Sequence, residues 1–322
     1  MRDDRPPFLD SLLEELKAGG PYLSKKHADR AAERLAHAYN ARPQAELGGL
    51  SPNQLRELLD ADWISSSSVL DVNEALSLDD VADAPIFADA RTILEYVARE
   101  GPLKETAAHN LIRSDVAAIS SRLQLVRRRA EIYGDGPPRA VVNEGDVYWL
   151  LLLRYVLMFA GLLLHRKGFR ITSRGREFLR DGRAGELFAL LFRTVFRKLD
   201  LQSLDLMGHP AMQAMAAYSL YRLSTCATEW SSSEVLASQA WLESAMDPVS
   251  PVEAELGVDF RHFTFRNRII RTLVAFGLLD ERVVPTADRV EPATEYRVKP
   301  LYHTFLRFRL TPNAGTGPVL VR

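Results

Sequence analysis

Apolar positions recur at helical spacing along most of this chain, broken by glycines and by short polar stretches. In residues 85–101, Ile86, Ala90, Ile93, Leu94 and Val97 share one helical face and Gly101 ends the run, so the spacing predicts an amphipathic helix. Ahead of it, PPFLDSLLEELKAGG and SKKHADRAAERLAHAYN predict two short helices within the first 45 residues. SPNQLRELLDADW predicts a third, with Ser51 as cap, Pro52 in the first turn and Gln54 completing a capping box. Residues 64–84 are rich in serine and acid without a sustained period and read as a linker or surface loop. After Gly101, LKETAAHNLIRSDVAAISSRLQLVRRR predicts a short helix, a break near Asn110 and a longer helix, an order that suits a helix-turn-helix bundle.

VYWLLLLRYVLMFAGLLL, residues 147–164, is long enough to raise the question of a membrane span, with Arg154 as its one charge. A central arginine costs roughly 2.5 to 3.5 kcal/mol on insertion scales. Gly161 is well placed to end a helix short of that length, and LLLHRKGFRIT then reads as a hairpin turning at Lys167 and Gly168. A soluble protein with no membrane partner is expected. The candidate helix before Gly161 offers almost nothing polar and is expected to be buried all round.

The same phrase returns later. LMFAGLL (157–163) matches LVAFGLL (273–279), and FRITSRGREFL (169–179) aligns without gaps on YRVKPLYHTFL (296–306). Ahead of the second copy, HPAMQAMAAYSLYRLST predicts one helix and SSSEVLASQAWL another, with Ser231 and Glu234 as a capping box. A helix, a Gly-Leu-Leu strand, a turn, a second strand and a closing helix resemble the C-terminal half of a winged helix-turn-helix domain. The expected fold is therefore mainly α: two winged-helix-like modules with small β-hairpin wings, preceded by a helical N-terminal region. The boundaries expected are residues 1–84 for that region and its linker, 85–183 and 209–310 for the modules, 184–208 for a connecting helix and 311–322 for a flexible tail. GGLSPNQLRELLDADW, IFADARTILEYV and LIRSDVAAIS are also similar to a group of bacterial and plasmid-borne proteins of unknown function, some carrying a cysteine-containing SEC-C zinc module. This chain lacks the cysteines for that module, so the resemblance implies no metal and lends no activity.

Composition adds little until it is divided along the chain. At 47% hydrophobic and 26% charged, 322 residues hold ample material for a core. The single cysteine, Cys226, excludes an internal disulfide framework, and MRDDRPPFLD has no apolar run after its charges, so the cytoplasm is the expected compartment. Residues 1–100 hold 11 Lys or Arg against 19 Asp or Glu, and the remainder 30 against 23, so the net charge of −1 conceals halves of opposite sign. A basic later part fits nucleic acid, an intramolecular dock or a solvated surface.

Candidate chemistry follows from the two copies. Around the first hairpin, Arg154, Arg166, Lys167, Arg170, Arg174, Arg176, Arg180 and Arg183 face only Glu177 and Asp181, enough positive charge to hold phosphates without sequence preference. Of these, Arg166, Lys167, Arg170 and Arg174 are the candidate phosphate contacts. In the second copy, FRHFTFRNRIIRTLVAF turns Phe265, Ile269, Leu273 and Phe276 inward and leaves Thr264, Asn267, Arg268 and Arg271 on another face, where Asn and Arg can meet base edges. No phosphate loop, dinucleotide fingerprint, zinc-protease motif, nucleophile elbow or metal-spaced Cys or His group is present, so no enzyme, cofactor or metal is expected. His262 near Asp259, Cys226 and the Ser65–Ser68 run read as surface, core and turn. The leading reading is a non-enzymatic DNA-binding regulator or plasmid-associated factor acting on double-stranded DNA. A protein-interaction scaffold comes second, and an enzyme without a recognisable motif third. Oligomeric state is left open.

Overall fold

The computed structural model describes residues 14, 16–18, 24–65, 67–133, 142–246, 251–257, 259–284 and 293–311. The chain divides into two compact units, residues 1–61 with 309–322, and residues 62–308. In the first, α1 (Lys25–Ala41) starts at Ser24, whose hydroxyl accepts from the His27 N–H. Helix α2 (Pro52–Leu59) starts with the expected capping box, Ser51 and Gln54 each holding the other's backbone N–H. The Gln54 amide also donates to the Thr311 carbonyl at 2.7 Å. The helix expected over residues 6–20 lies mostly outside the described residues, as does the tail beyond Thr311.

The larger unit is mainly helical with small antiparallel sheets. It opens with β1 (Leu70–Val72) and α3 (Leu78–Val81) in the stretch expected to be a linker. As a linker that expectation fails because Leu70, Val72, Leu76, Val81 and Ala84 are buried, and Leu70 pairs with Phe308 of the last strand. Then come α4 (Pro85–Glu100), α5 (Arg113–Ser120), α6 (Gln124–Tyr133) and α7 (Tyr148–Phe159). The short helix expected before Asn110 is absent. Leu103 instead bridges to Phe169 and Glu105 to Leu111. Strands β2 (Leu163–His165) and β3 (Phe169–Ile171) form the first hairpin, followed by α8 (Ser173–Glu177) and α9 (Ala184–Arg197).

The second half runs α10 (Ala211–Ala214), α11 (Ala216–Cys226), β4 (Ser231–Ser232), α12 (Ser233–Ala240), α13 (Pro251–Leu256) and α14 (Arg261–Phe265). A π-helical turn over Arg266–Ile270 joins α14 to α15 (Arg271–Ala275). Strands β5 (Leu279–Val284) and β6 (Ala293–Val298), α16 (Pro300–Phe305) and β7 (Leu306–Phe308) complete it. The cap of α12 is Ser232 rather than Ser231, its hydroxyl accepting the Val235 N–H.

The written repeat is a structural one. Gly161 (φ 72°) and Gly277 (φ 64°) each end a helix in the left-handed conformation that glycine adopts without a Cβ penalty. In both, the glycine N–H returns to the carbonyl three residues back (Met158, Val274) and the next leucine's to the one five back (Leu157, Leu273). Hairpin register agrees as well: Leu163 pairs with Ile171 and Leu279 with Val298, as the gapless alignment requires. Helix α9 lies between the copies in sequence and supplies their shared core, since Phe188 and Phe192 meet both Phe276 and Phe305 at ring-centroid distances of 4.6 to 5.4 Å. Phe87 of α4 reaches Phe188 at 6.3 Å, which ties the first copy to the same cluster. Burying such rings is the largest apolar contribution a helix of this length can make.

Candidate nucleic-acid interface

The first hairpin turns at Lys167 (φ 51°) and Gly168 (φ 93°), with the Arg166 N–H donating to the Gly168 carbonyl at 2.8 Å. A Cβ at Gly168 would lie 2.3 Å from the Leu103 carbonyl oxygen, so the turn is pressed against the segment after α4 and only glycine fits. This fixes the direction in which the hairpin tip points. Arg166, Lys167, Arg170 and Arg174 are all exposed, with Arg176 and Arg180 exposed beside them. Arg170 Nε donates to the Arg166 carbonyl, and the Arg174 guanidinium lies 5.4 Å from the Phe178 ring centre. Of the two acids expected to offset this charge, Glu177 is taken by Arg183, the last cation of the group, at 2.7 Å, and Asp181 by Arg91 at 2.8 Å. Among the described residues, none of the six cations shares an ion pair with a carboxylate. Arg183 also donates to Glu186 and holds that carboxylate below its ordinary pKa.

Arg154 is not part of this patch. It is 3% exposed, and its guanidinium donates through Nε and Nη2 to the two oxygens of the buried Glu144, at 2.5 and 3.1 Å. It also lies 4.4 Å from the Phe169 ring centre. Helix α7 is therefore not buried all round: one face holds Leu150, Leu153, Arg154, Val156 and Leu157, while Tyr155 and Phe159 are exposed. With 12 residues it is short of a span, and among the described residues no helix is long and apolar enough to cross a membrane.

The second copy keeps its expected inward stripe, for Phe265, Ile269, Leu273 and Phe276 are all fully buried. The expected outward face does not survive. Thr264 and Arg268 are fully buried too. Arg268 makes a two-pronged pair with Asp205, Nη2 to Oδ1 at 2.7 Å and Nε to Oδ2 at 3.0 Å, and donates to the His209 carbonyl at 2.7 Å and to that of Met207. The reason is that the helix is enclosed on nearly every side: Ile270, Thr272, Val274 and Ala275 are buried along with the stripe, so a residue flanking the stripe is buried too. Asn267 and Arg271 are half-buried, with Arg271 Nη1 donating to Asn267 Oδ1 at 3.2 Å. They line a cleft of about 220 Å³ whose opposite wall is Tyr148, Trp149 and Leu152 of α7. Of the four side chains expected on that face, these two alone retain solvent exposure.

One cluster was announced by no spacing. Glu105, His109 and His165 bring a carboxylate oxygen and two imidazole nitrogens within 4.8 Å of one another. Glu105 Oε2 lies 2.8 Å from His109 Nδ1 and 2.6 Å from His165 Nε2, while its Oε1 accepts the Gly168 N–H at 2.9 Å. Hydrogen bonds from His109, His165 and Gly168, in that order, pull the Glu105 pKa down to about 2. The histidines are 56 positions apart in the chain, too far for any local motif; only the spacing of four between Glu105 and His109 hinted at a pair.

Residues 82–184 match the family described as the Y4jL N-terminal domain, a span that covers α4 to the start of α9 and so contains the hairpin and the Glu105 cluster. Neither a curated protein nor a solved structure matches the chain.

Proposed function

We propose that this protein is a non-enzymatic nucleic-acid-binding protein that holds the phosphate backbone of double-stranded DNA through the first hairpin and α8. In this reading the two copies are winged-helix-turn-helix modules and the first hairpin is the wing, consistent with a regulator or plasmid-associated factor. The observation that carries it is the row of exposed cations, Arg166, Lys167, Arg170, Arg174, Arg176 and Arg180, left without carboxylate partners among the described residues. The topology supports it: helix, short bridge, three helical segments (α5, α6 and α7; α12, α13 and α14 joined to α15 by the π turn), hairpin and closing helix recur in order from α4 to α8 and from α11 to α16. Because the half-buried Asn267 and Arg271 face a cleft, binding depends on salt and little on sequence.

The test is fluorescence anisotropy on duplexes of unrelated sequence across a salt titration. Replacing Arg166, Lys167 and Arg170 together by Ala weakens binding to every duplex and flattens the salt slope by about 3 at most, roughly one unit per lost contact. Asn267→Ala and Arg271→Ala leave affinity and slope unchanged. No binding by the parent at low salt sinks the proposal, as does equal binding by the triple variant. In that case a protein partner is the better reading, favoured by the exposed Tyr155 and Phe159, which stack at 6.4 Å.

A further inference from the structure

We propose that Glu105, His109 and His165 form a binding site for one divalent transition-metal ion of zinc-like preference, clamping the first hairpin to the segment after α4. The donor set decides the class of ion. Two imidazole nitrogens with one carboxylate oxygen suit zinc and its neighbours, whereas magnesium and calcium take oxygen ligands. The three atoms already converge, with Oε2 between His109 Nδ1 and His165 Nε2 at 2.8 and 2.6 Å. Zinc bonds of about 2.0–2.2 Å place tetrahedral ligand atoms about 3.3 Å apart. Admitting the ion therefore requires each nitrogen to draw back from Oε2 by well under an ångström while the two nitrogens, within 4.8 Å of one another, settle at the tetrahedral spacing, which the largely exposed His109 side chain allows.

Carboxylate and rings are held in advance. The Gly168 N–H fixes Glu105 Oε1 and leaves Oε2 as the single ligand atom. His165 is oriented by stacking on Phe169 at 4.8 Å, and Phe169 in turn lies against the guanidinium of the buried Arg154. His109 sits at φ 59°, a conformation a non-glycine residue pays to adopt, and this aims its ring at His165, 5.2 Å away between centres. On metal binding the two nitrogens that face Oε2 each present a lone pair, with the ring proton held on the other nitrogen, and the ion takes the place of the hydrogen bonds to Oε2. Three protein ligands and an exposed fourth position leave room for a water or an external donor. Since His165 precedes Arg166 and Lys167 directly, the ion fixes the base of the hairpin tip that carries them.

The experiment uses the full-length chain, free of any affinity tag and stripped with chelator, titrated calorimetrically with zinc sulfate. One ion binds per chain, Tm rises by several degrees, and magnesium and calcium at the same concentration produce neither effect. His109→Ala, His165→Ala and Glu105→Gln each weaken zinc binding by at least about 100-fold. His109 is mostly exposed, so its variant folds and its Tm without metal stays within a degree or two of the parent's. X-ray absorption of the zinc-loaded protein shows two imidazoles and one carboxylate in the first coordination sphere. Absence of zinc binding at a tenfold excess in the micromolar range overturns the proposal, as does binding that survives in both histidine variants. The outcome is independent of DNA affinity, which the anisotropy experiment measures separately.

Discussion

The two copies share a helix end, a hairpin register and a closing helix, yet they distribute charge in opposite ways. In the second hairpin the charges answer one another: Arg282 pairs with Glu295 at 2.6 Å, and Arg297 and Lys299 approach Asp280 at 3.5 and 3.9 Å. Trp230 is covered by both Arg282 and Arg297, at 4.4 and 4.7 Å from the ring centre. In the first hairpin Arg166, Lys167 and Arg170 meet no acid among the described residues. The buried charges differ in reach. Arg154 is answered by Glu144, ten positions away, while Arg268 is answered by Asp205, 63 positions away, together with two carbonyls. One backbone plan thus serves two ends. Where cations are paired internally the module is built into the molecule, and where they are left open the surface is available to an external anion.

The buried pairs offer the harshest test of this contrast. Removing one partner strands a buried charge, so Arg268→Ala costs about 3–5 kcal/mol and Arg154→Ala falls in the lower part of that range, because it strands one carboxylate and frees no carbonyl. Urea denaturation reads both values. Replacing Arg268 and Asp205 together by Met and Leu recovers a large part of the loss; an Arg268→Ala cost below about 1 kcal/mol would show that the pair does not anchor the second copy.

The capping glycines separate backbone from packing. A left-handed non-glycine residue costs about 1–2 kcal/mol. Gly161 has open space where a Cβ would project, with only an Arg174 side-chain nitrogen at 3.8 Å, whereas a Cβ at Gly277 would meet the Ala84 Cα at 3.2 Å. Gly277→Ala is therefore the more damaging change, by about 1 kcal/mol beyond the shared backbone cost. Equal shifts in denaturation midpoint would mean that the close approach to Ala84 relaxes freely.

A smaller effect belongs to the first copy alone. Asp89 caps α6 by accepting the Gln124 and Leu125 N–H groups at 2.6 and 2.9 Å, and burial pushes its pKa up to about 6. A carboxylate with a folded pKa above its unfolded value binds more protons in the folded state. Its contribution is therefore greatest below about pH 4 and is lost as pH rises to about 6, on the order of 1 kcal/mol given the partial solvation that remains. Stability measured from pH 4 to 7 shows this decline in the parent and a flatter profile in Asp89→Asn. Parallel profiles would remove Asp89 as its source.

What could be read from the residues alone was whatever depends on neighbours within a turn or two. The Ser51 and Gln54 box, the helix end at Gly161, the hairpin turn at Lys167 and Gly168 and the inward stripe of Phe265, Ile269, Leu273 and Phe276 rest on such short-range rules, and each stands in the structure. Tertiary structure decided where the charges went. Helical periodicity placed Arg268 outward because it assumes that one face of a helix meets solvent, and here nearly every side is buried, with Asp205 and two distant carbonyls satisfying the guanidinium. Likewise Arg154 found Glu144, pairing with the last strand brought Leu70 and Val72 of the supposed linker into the core, and Glu105 met a histidine 60 positions later. The physical reason is one of range. Caps and amphipathic faces are satisfied within a few residues, but a buried charge can be satisfied by any complementary group the fold delivers, and nothing near it in the chain names that group.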